Sequence, residues 1–223
     1  MKKKDPVIKT KRLILRPMTD EEVSALIDKT ADSELRAAYE QMLAGCKNDP
    51  DKRVWHAPWS ITDKNTGAYI GDIDFKGAAK NYAVEIGYGV LKECEGQGYA
   101  TETVQAMTMW AFAQGDVYFV EAETAPDNAA SRRVLEKCGF VPDGEGEEGP
   151  RFVLERALTN WTAIYMLLGL SLGPAFGAQR NNLALGMCLG VAVGLCLGTA
   201  LDAGAKKARG KARAARLAAK GKE

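Results

Sequence analysis

The sequence predicts an α+β fold: a mixed, mostly antiparallel sheet flanked by helices, followed by a glycine-rich α-helical hairpin. Three observations carry this. Strand-like and helix-like runs follow the order β, two helices, three antiparallel β, α, β, α, β, a pattern of helices laid on a sheet. Two glycines stand where a strand-like run gives way to a helix-like one, in "LKECEGQGYATETVQAM" (residues 91–107). From Trp161 onward the composition shifts to glycine, leucine and alanine.

Residues 12–18, "RLILRPM", read as a strand with Leu13 and Leu15 on one face. Asp20, with acids at 21 and 22, suits a helix N-terminus capped by Asp20, and Val23, Leu26 and Ile27 supply its apolar spacing. A second helix is predicted over residues 33–43, ending near Gly45. Residues 55–62 and 68–75 read as two strands around "DKNTG", a hairpin signal, and 82–91 as the third of the series. A helix follows over 98–114, with Ala100, Val104, Met107 and Ala111 on one stripe. Residues 118–124 read as a strand, 129–137 as a helix closed by Gly139, and 145–155 as a final strand pair.

In the strand ending at Val90, Tyr82, Val84, Ile86, Tyr88 and Val90 share one face, because side chains alternate along a strand. The other face carries Ala83, Glu85, Gly87 and Gly89: small, smooth and marked by one carboxylate, as a wall beside a ligand is. An ordinary surface strand with a solvated glutamate is the simpler alternative. Beyond it comes Gly96-Gln97-Gly98-Tyr99-Ala100-Thr101. Glycine is a poor helix former, and its use at a helix start makes sense where bare amides bind an anion. A P-loop is excluded, since no Gly-Lys-Ser/Thr follows. A dinucleotide-binding turn fits in part, with Glu121 or Glu123 further on, but Thr101 replaces its third glycine and no βαβ unit opens the chain. A plain helix start without a ligand stays open.

Together with "APDNAASRRVLEKCGF" (125–140), the segment "EIGYGVLKECEGQGYATET" resembles the GNAT acetyltransferase superfamily, and within it the ribosomal-protein alanine N-acetyltransferase-like branch. "TKRLILRPMTDEE" and "GAYIGDIDF" match that branch as well, so the likeness covers residues 8–157. The resemblance implies a GNAT-type sheet and acetyl-CoA as co-substrate. It places the pyrophosphate on the amides of Gln97, Gly98, Tyr99, Ala100 and Thr101, and the pantetheine arm against Val90, in a splay between strands 82–91 and 118–124. Asn128 is implied to bond the cofactor arm or a water, with Ser131 nearby. Glu85 matches a position where the branch often has a general base, which the chemistry requires because an amine is mostly ammonium at neutral pH. The oxyanion calls for a donor such as a backbone amide on the same strand. Two residues depart from the pattern: Glu93 replaces the usual Gln or Arg, and Glu95 the frequent Trp. Both weaken an anion site unless they point outward, which keeps open a rival reading, a non-catalytic acetyl-CoA-binding domain on a membrane or assembly protein. Cys94 and Cys138 read as spectators. For Tyr88, Tyr99 and Tyr118, core packing is a simpler role than protonating a thiolate. His56, the sole histidine, reads as structural or substrate-lining, and no metal site is expected.

The formal net charge of +1 is unevenly spread: from Ala203 onward eight Lys/Arg face the single acid Glu223. Five cysteines without a CxxC pair fit a reduced compartment. The basic start "MKKK" precedes no apolar stretch of signal-peptide length. Two uncharged runs, 161–178 and 183–201, are separated only by Gln179, Arg180, Asn181 and Asn182. Glycines recur every four residues at Gly169, Gly173 and Gly177, then at Gly186, Gly190, Gly194 and Gly198, lining one helix face so that backbones can approach. The pattern resembles bacterial glycine-zipper membrane hairpins, and the same glycines offer a surface for a homo-oligomer. A hairpin spanning the membrane would leave the enzyme domain and the basic tail in the cytoplasm, the tail on anionic lipid rather than nucleic acid. Pro174 argues for a kink, and a soluble helical hairpin is the alternative. The expected parts are therefore an N-acetyltransferase domain at 8–158, a hairpin at 161–201 and a basic tail at 203–223. The acceptor is expected to be a primary amine, either a protein N-terminus or a small molecule.

Overall fold

Alternation of buried and exposed residues organises the first strands. In β2 (Leu13–Pro17) Leu13 and Leu15 are fully buried while Ile14 and Arg16 are half-buried. The computed structural model describes residues 5–179 and 181–220; "MKKK", Arg180 of the predicted turn and residues 221–223 of the tail lie outside them. The chain falls into two units, Met1–Arg156 and Ala157–Glu223.

The first unit holds β1 (Ile8–Lys9), β2, β3 (Trp59–Asp63), β4 (Tyr69–Phe75), β5 (Ala83–Val90), β6 (Phe119–Glu123), β7 (Val141–Glu145) and β8 (Pro150–Glu155). They form one eight-stranded sheet in the order β1-β2-β3-β4-β5-β6-β8-β7, in which only β5 and β6 run parallel. The predicted mixed, mostly antiparallel GNAT-type sheet is therefore present. Helix α3 (Tyr99–Phe112) crosses it and buries Val104, Met107 and Ala111, three members of the predicted stripe. They meet Leu13, Leu15, Ile61, Ile73, Phe75 and Ile86, each full burial contributing roughly 1.5–3 kcal/mol. Fully buried Trp59 satisfies its indole by donating to the Val54 carbonyl at 3.0 Å. Helices α1 (Asp20–Lys29) and α2 (Ser33–Asn48) share a smaller cluster of Met18, Val23, Ile27 and Tyr39. Helix α4 (Ala129–Lys137) matches its predicted bounds, and Gly139 follows it at φ 85°.

Four local expectations differ from the structure. Thr19, not Asp20, caps α1: Thr19 Oγ1 accepts from the Glu22 amide and Glu22 Oε2 accepts from the Thr19 amide at 2.8 Å, a reciprocal box that leaves Asp20 inside the helix. Helix α2 runs past Gly45 to Asn48; Gly45 makes room for the His56 ring, which a β-carbon would meet at 2.8 Å, and does not end the helix. Strand β3 begins at Trp59, since residues 50–55 wind into a 3₁₀ turn led by Pro50. The last strand pair begins at Val141, before the predicted 145.

In the second unit α5 (Trp161–Gln179) and α6 (Leu183–Lys220) pack antiparallel. A β-carbon at Gly169 would strike the Gly190 carbonyl, one at Gly186 the Gly173 carbonyl, and one at Gly194 the Tyr165 carbonyl. Gly177 and Gly198 are equally tight against Asn182 and Thr162. The glycine face expected to join another copy is thus occupied by the chain's own second helix. Asp202 closes the start of α5, accepting from the Trp161 amide at 2.8 Å and the Thr162 hydroxyl at 2.6 Å. Helix α5 continues through Pro174. Helix α6 has no break between 201 and 203: its alanines, lysines and arginines are good helix formers and carry the basic segment on to Lys220.

Candidate active site

Strand β5 has β6 beside it only at its start. Residues 83–85 pair with 119–121 of β6, whereas residues 86–90 pair with β4 alone. The strands part toward the end where the Gly-x-Gly turn lies. Gly98 sits there at φ 78°, a left-handed conformation that L side chains rarely adopt, and leads straight into α3. No side chain caps this helix. By contrast Thr19 caps α1, Asp32 caps α2, Asn128 caps α4, and Asn160 and Asn182 accept amides at the starts of α5 and α6. The amides of Tyr99, Ala100 and Thr101 therefore point outward from the positive end of a 14-residue helix. These residues fit an anionic phosphate group on geometry and charge.

Arg12, which the sequence reading passed over, stands beside this turn. Its Nη1 donates to the Gln97 carbonyl at 3.0 Å, its Nε to Glu102 at 2.7 Å, and its guanidinium lies 4.5 Å from the Tyr99 ring. Glu102 also accepts from the Thr10 hydroxyl at 2.6 Å. Burial alone would raise the Glu102 carboxyl, but these hydrogen bonds outweigh it and hold the group below its usual range. Glu93 and Glu95 are both exposed.

A cavity of about 710 Å³ opens on the glycine face of β5. Its walls include Leu26, Leu35, Met42 and Tyr39 from the first two helices, and Tyr69 and Phe75 from β4. Gly87, Gly89 and Val90 of β5 form part of the floor. His56 lines the cavity too, in keeping with its substrate-lining alternative. Glu85 is not among the lining residues. Its Oε1 lies 2.6 Å from Lys76 Nζ, at an angle too poor for a good hydrogen bond, and Lys76 also holds Glu148 at 2.8 Å. Burial raises Glu85, with Lys76 opposing. Burial would lower the Lys76 ammonium, yet its bond to Glu148 and the nearby Glu85 carboxylate prevail and raise it.

Two acids missed in the sequence do line the cavity. Strand register sets Asp72 opposite Gly89 and Asp74 opposite Gly87. Asp72 Oδ2 accepts from Tyr39 at 2.8 Å and Tyr69 at 2.6 Å; burial raises its carboxyl against these bonds, and both phenols are raised by burial and by Asp72. Asp74 is 8% exposed, and among the described residues no hydrogen bond or ion pair reaches it. Burial, then the Asp72 charge, lift it to about 7. The alternation "GDIDF" was the available signal: it sends both aspartates to the face opposite Ile73 and Phe75.

Asn128 Oδ1 accepts the Ser131 amide at 2.9 Å, and Ser131 Oγ lies 2.8 Å from the Tyr88 hydroxyl. Both residues are thus engaged locally at the start of α4. Burial pushes the Tyr88 phenol up to about 12 and the Cys138 thiol up to about 11. A thiol so raised is a poor nucleophile near neutral pH.

A mixed sheet that parts beside an uncapped, glycine-led helix defines an α+β fold with an anion-receptive helix start. Residues 12–141 match the model of the acetyltransferase (GNAT) domain, more than half of the chain, and residues 158–203 match that of a glycine zipper membrane protein. The chain belongs to the GNAT acetyltransferase family. It is 30% identical over 152 residues to YoaA of Bacillus subtilis, described as an N-acetyltransferase, covering 62% of this chain and 85% of that one. YnaD of the same organism is 26% identical over 144 residues, covering 61% and 84%. Among solved structures, the ribosomal-protein-alanine acetyltransferase of Vibrio fischeri superposes with TM-score 0.55 at 16% identity, covering 70% of this chain and 99% of that one. The ribosomal acetyltransferase RimL, solved in complex with coenzyme A, superposes at 0.53 with 17% identity, covering 67% and 98%. At such identities these two likenesses concern the fold.

Proposed function

We propose that the protein is an acetyl-CoA-dependent N-acetyltransferase acting on a primary amine and tethered to the membrane by its C-terminal hairpin. One observation carries the catalytic half: the uncapped start of α3 and the acid-floored cavity meet the same strand, β5, at its unpaired end. Residues 97–101 would hold the diphosphate of acetyl-CoA, with Arg12 adding positive charge. The unpaired edge of β5 up to Val90 would take the pantetheine arm, near Asn128 and Ser131. The co-substrate supplies the activated acetyl group. The chain supplies orientation, amides near the developing oxyanion, and a carboxylate to take the amine's proton. The family resemblance suggests Glu85 for this role, yet Lys76 holds that carboxylate and it does not line the cavity.

The tether rests on an inverted interior. The hairpin buries Gly173, Gly177, Gly186, Gly194 and Gly198, while Leu167, Leu172, Phe176 and Leu189 are exposed. Both helices are long and apolar enough to cross a bilayer. The basic residues on the extension of α6 would then lie on anionic lipid, on the side of the first unit.

Calorimetry with coenzyme A on the full chain in detergent micelles tests the binding half, and thiol release from acetyl-CoA with added primary amines tests the transfer. Heat of binding with turnover is the expected result. Binding without turnover against any amine would favour a non-catalytic acetyl-CoA-binding domain. No heat at all would remove the reading.

A further inference from the structure

We infer that Asp74 is the carboxylate that receives the acceptor's ammonium and takes its proton, and that the acceptor is a primary amine on an apolar body. The inference rests on the acetyltransferase reading and names the proton acceptor and substrate class of that site.

Position separates Asp74 from its rivals. Glu85 is held by Lys76 at 2.6 Å and does not line the cavity. Asp72 lines it but already accepts two phenols on Oδ2. Glu147 and Glu148 stand at its side, with Glu148 bound to Lys76. Asp74 alone of these is buried, aimed at the floor and unpartnered among the described residues. Directly opposite, Gly87 has no side chain: a β-carbon there would meet Asp74 Oδ1 at 3.0 Å. The bare strand thus keeps open the approach to this carboxylate, beside the edge where the thioester would lie.

Burial without a partner is unfavourable for a carboxylate, and a ligand ammonium would supply the missing charge. The groups around it agree. Asp72, Glu85 and Glu148 oppose its ionisation, Lys76 favours it, and Tyr39 from α2 lies close by. Its proton affinity consequently falls near neutrality, where a general base works best. Leu26, Leu35, Met42 and Tyr69 give the amine an apolar wall.

The step balances. The ammonium gives one proton to Asp74 and becomes a neutral amine. The amine lone pair forms the C–N bond at the thioester carbonyl while the carbonyl π pair moves to oxygen. As the C=O bond re-forms and the C–S bond breaks, the second nitrogen proton balances the departing thiolate. Asp74 returns its proton to water.

Two readouts on the full chain in detergent micelles test this, with benzylamine as probe. With carbon-13 in the aspartate carboxyls, one resonance titrating near pH 7 is expected, absent in Asp74→Asn and shifted to lower pH by benzylammonium. In acetyl transfer to benzylamine, Asp74→Asn should lower kcat about a hundred- to ten-thousand-fold, Glu85→Gln less than tenfold, and neither should change coenzyme A affinity. Asp74→Glu should restore part of the rate. A resonance indifferent to benzylammonium, or a larger loss in Glu85→Gln than in Asp74→Asn, overturns the assignment. A wild-type protein that leaves benzylamine untouched overturns the apolar acceptor class. Coenzyme A binding reports separately on the acetyltransferase reading, so binding with no response at Asp74 sinks this inference alone.

Discussion

The two units of this chain solve packing in opposite ways. In the first, large apolar side chains such as Trp59, Phe75 and Met107 are inside. In the second, glycines are inside and leucines outside. Glycine itself changes role between them. At Gly96 an added β-carbon meets nothing within 4 Å, and at Gly98 only an Arg12 nitrogen at 3.6 Å, so what glycine supplies there is backbone freedom, at φ 71° and 78°. At Gly169, Gly186 and Gly190 it would strike backbone, so bareness there serves the neighbouring helix. Water drives the first arrangement through apolar burial. In the membrane setting proposed above, lipid would offer no such drive, and close backbone contact would be the available attraction.

Breaking the second interior should have the largest effect. Gly190→Leu with Gly194→Leu is expected to separate α5 from α6 entirely, since backbone cannot yield. Energy transfer between labels on the two helices would drop to background, while coenzyme A affinity stays unchanged. Persisting proximity would mean that the ladder is incidental. At the other kind of glycine the response should be smaller and of another sort. Gly98→Ala should cost about 1–2 kcal/mol in stability from the left-handed φ and lower coenzyme A affinity about tenfold, read by denaturation and calorimetry; unaltered affinity would detach the turn from the nucleotide.

Buried charge sharpens the contrast further, since the runs 161–178 and 183–201 contain none. Asp74 binds its proton more tightly in the folded state, from an ordinary 3.8 to about 7. Between those values the folded chain holds a proton that the unfolded chain has released. Stability of the first unit therefore falls as pH rises through this window. Asp74→Asn should flatten that fall in urea titrations at successive pH values; an unchanged slope would mean that Asp74 is ionised throughout. The smallest effect belongs to a cap. Thr19→Ala should cost about 1 kcal/mol with no change in turnover, whereas α3, which lacks a side-chain cap, has no equivalent to lose.

Much of this was legible beforehand. Helix α4 falls at the expected 129–137, closed by Gly139, because helix ends are local; that Asn128 caps its start emerged only from the structure. The faces of β5 followed from its period of two, with Val84 and Ile86 buried behind the glycines. Thr19 escaped notice because Asp20 is the better cap by type, and only the reciprocal bonds with Glu22 single out Thr19. Gly45 read as a helix end because glycine commonly ends helices; its actual task is to admit His56 from elsewhere in the chain.

The amino-acid order alone settled the succession of elements, the bare turn ahead of α3 and the inverted composition of the hairpin, since each depends on neighbours a few residues apart. Only the folded sheet decided that Lys76 closes Glu85 and that Asp74 faces Gly87. Those pairings belong to the register between two strands, and register is set by how every strand buries its apolar face at once.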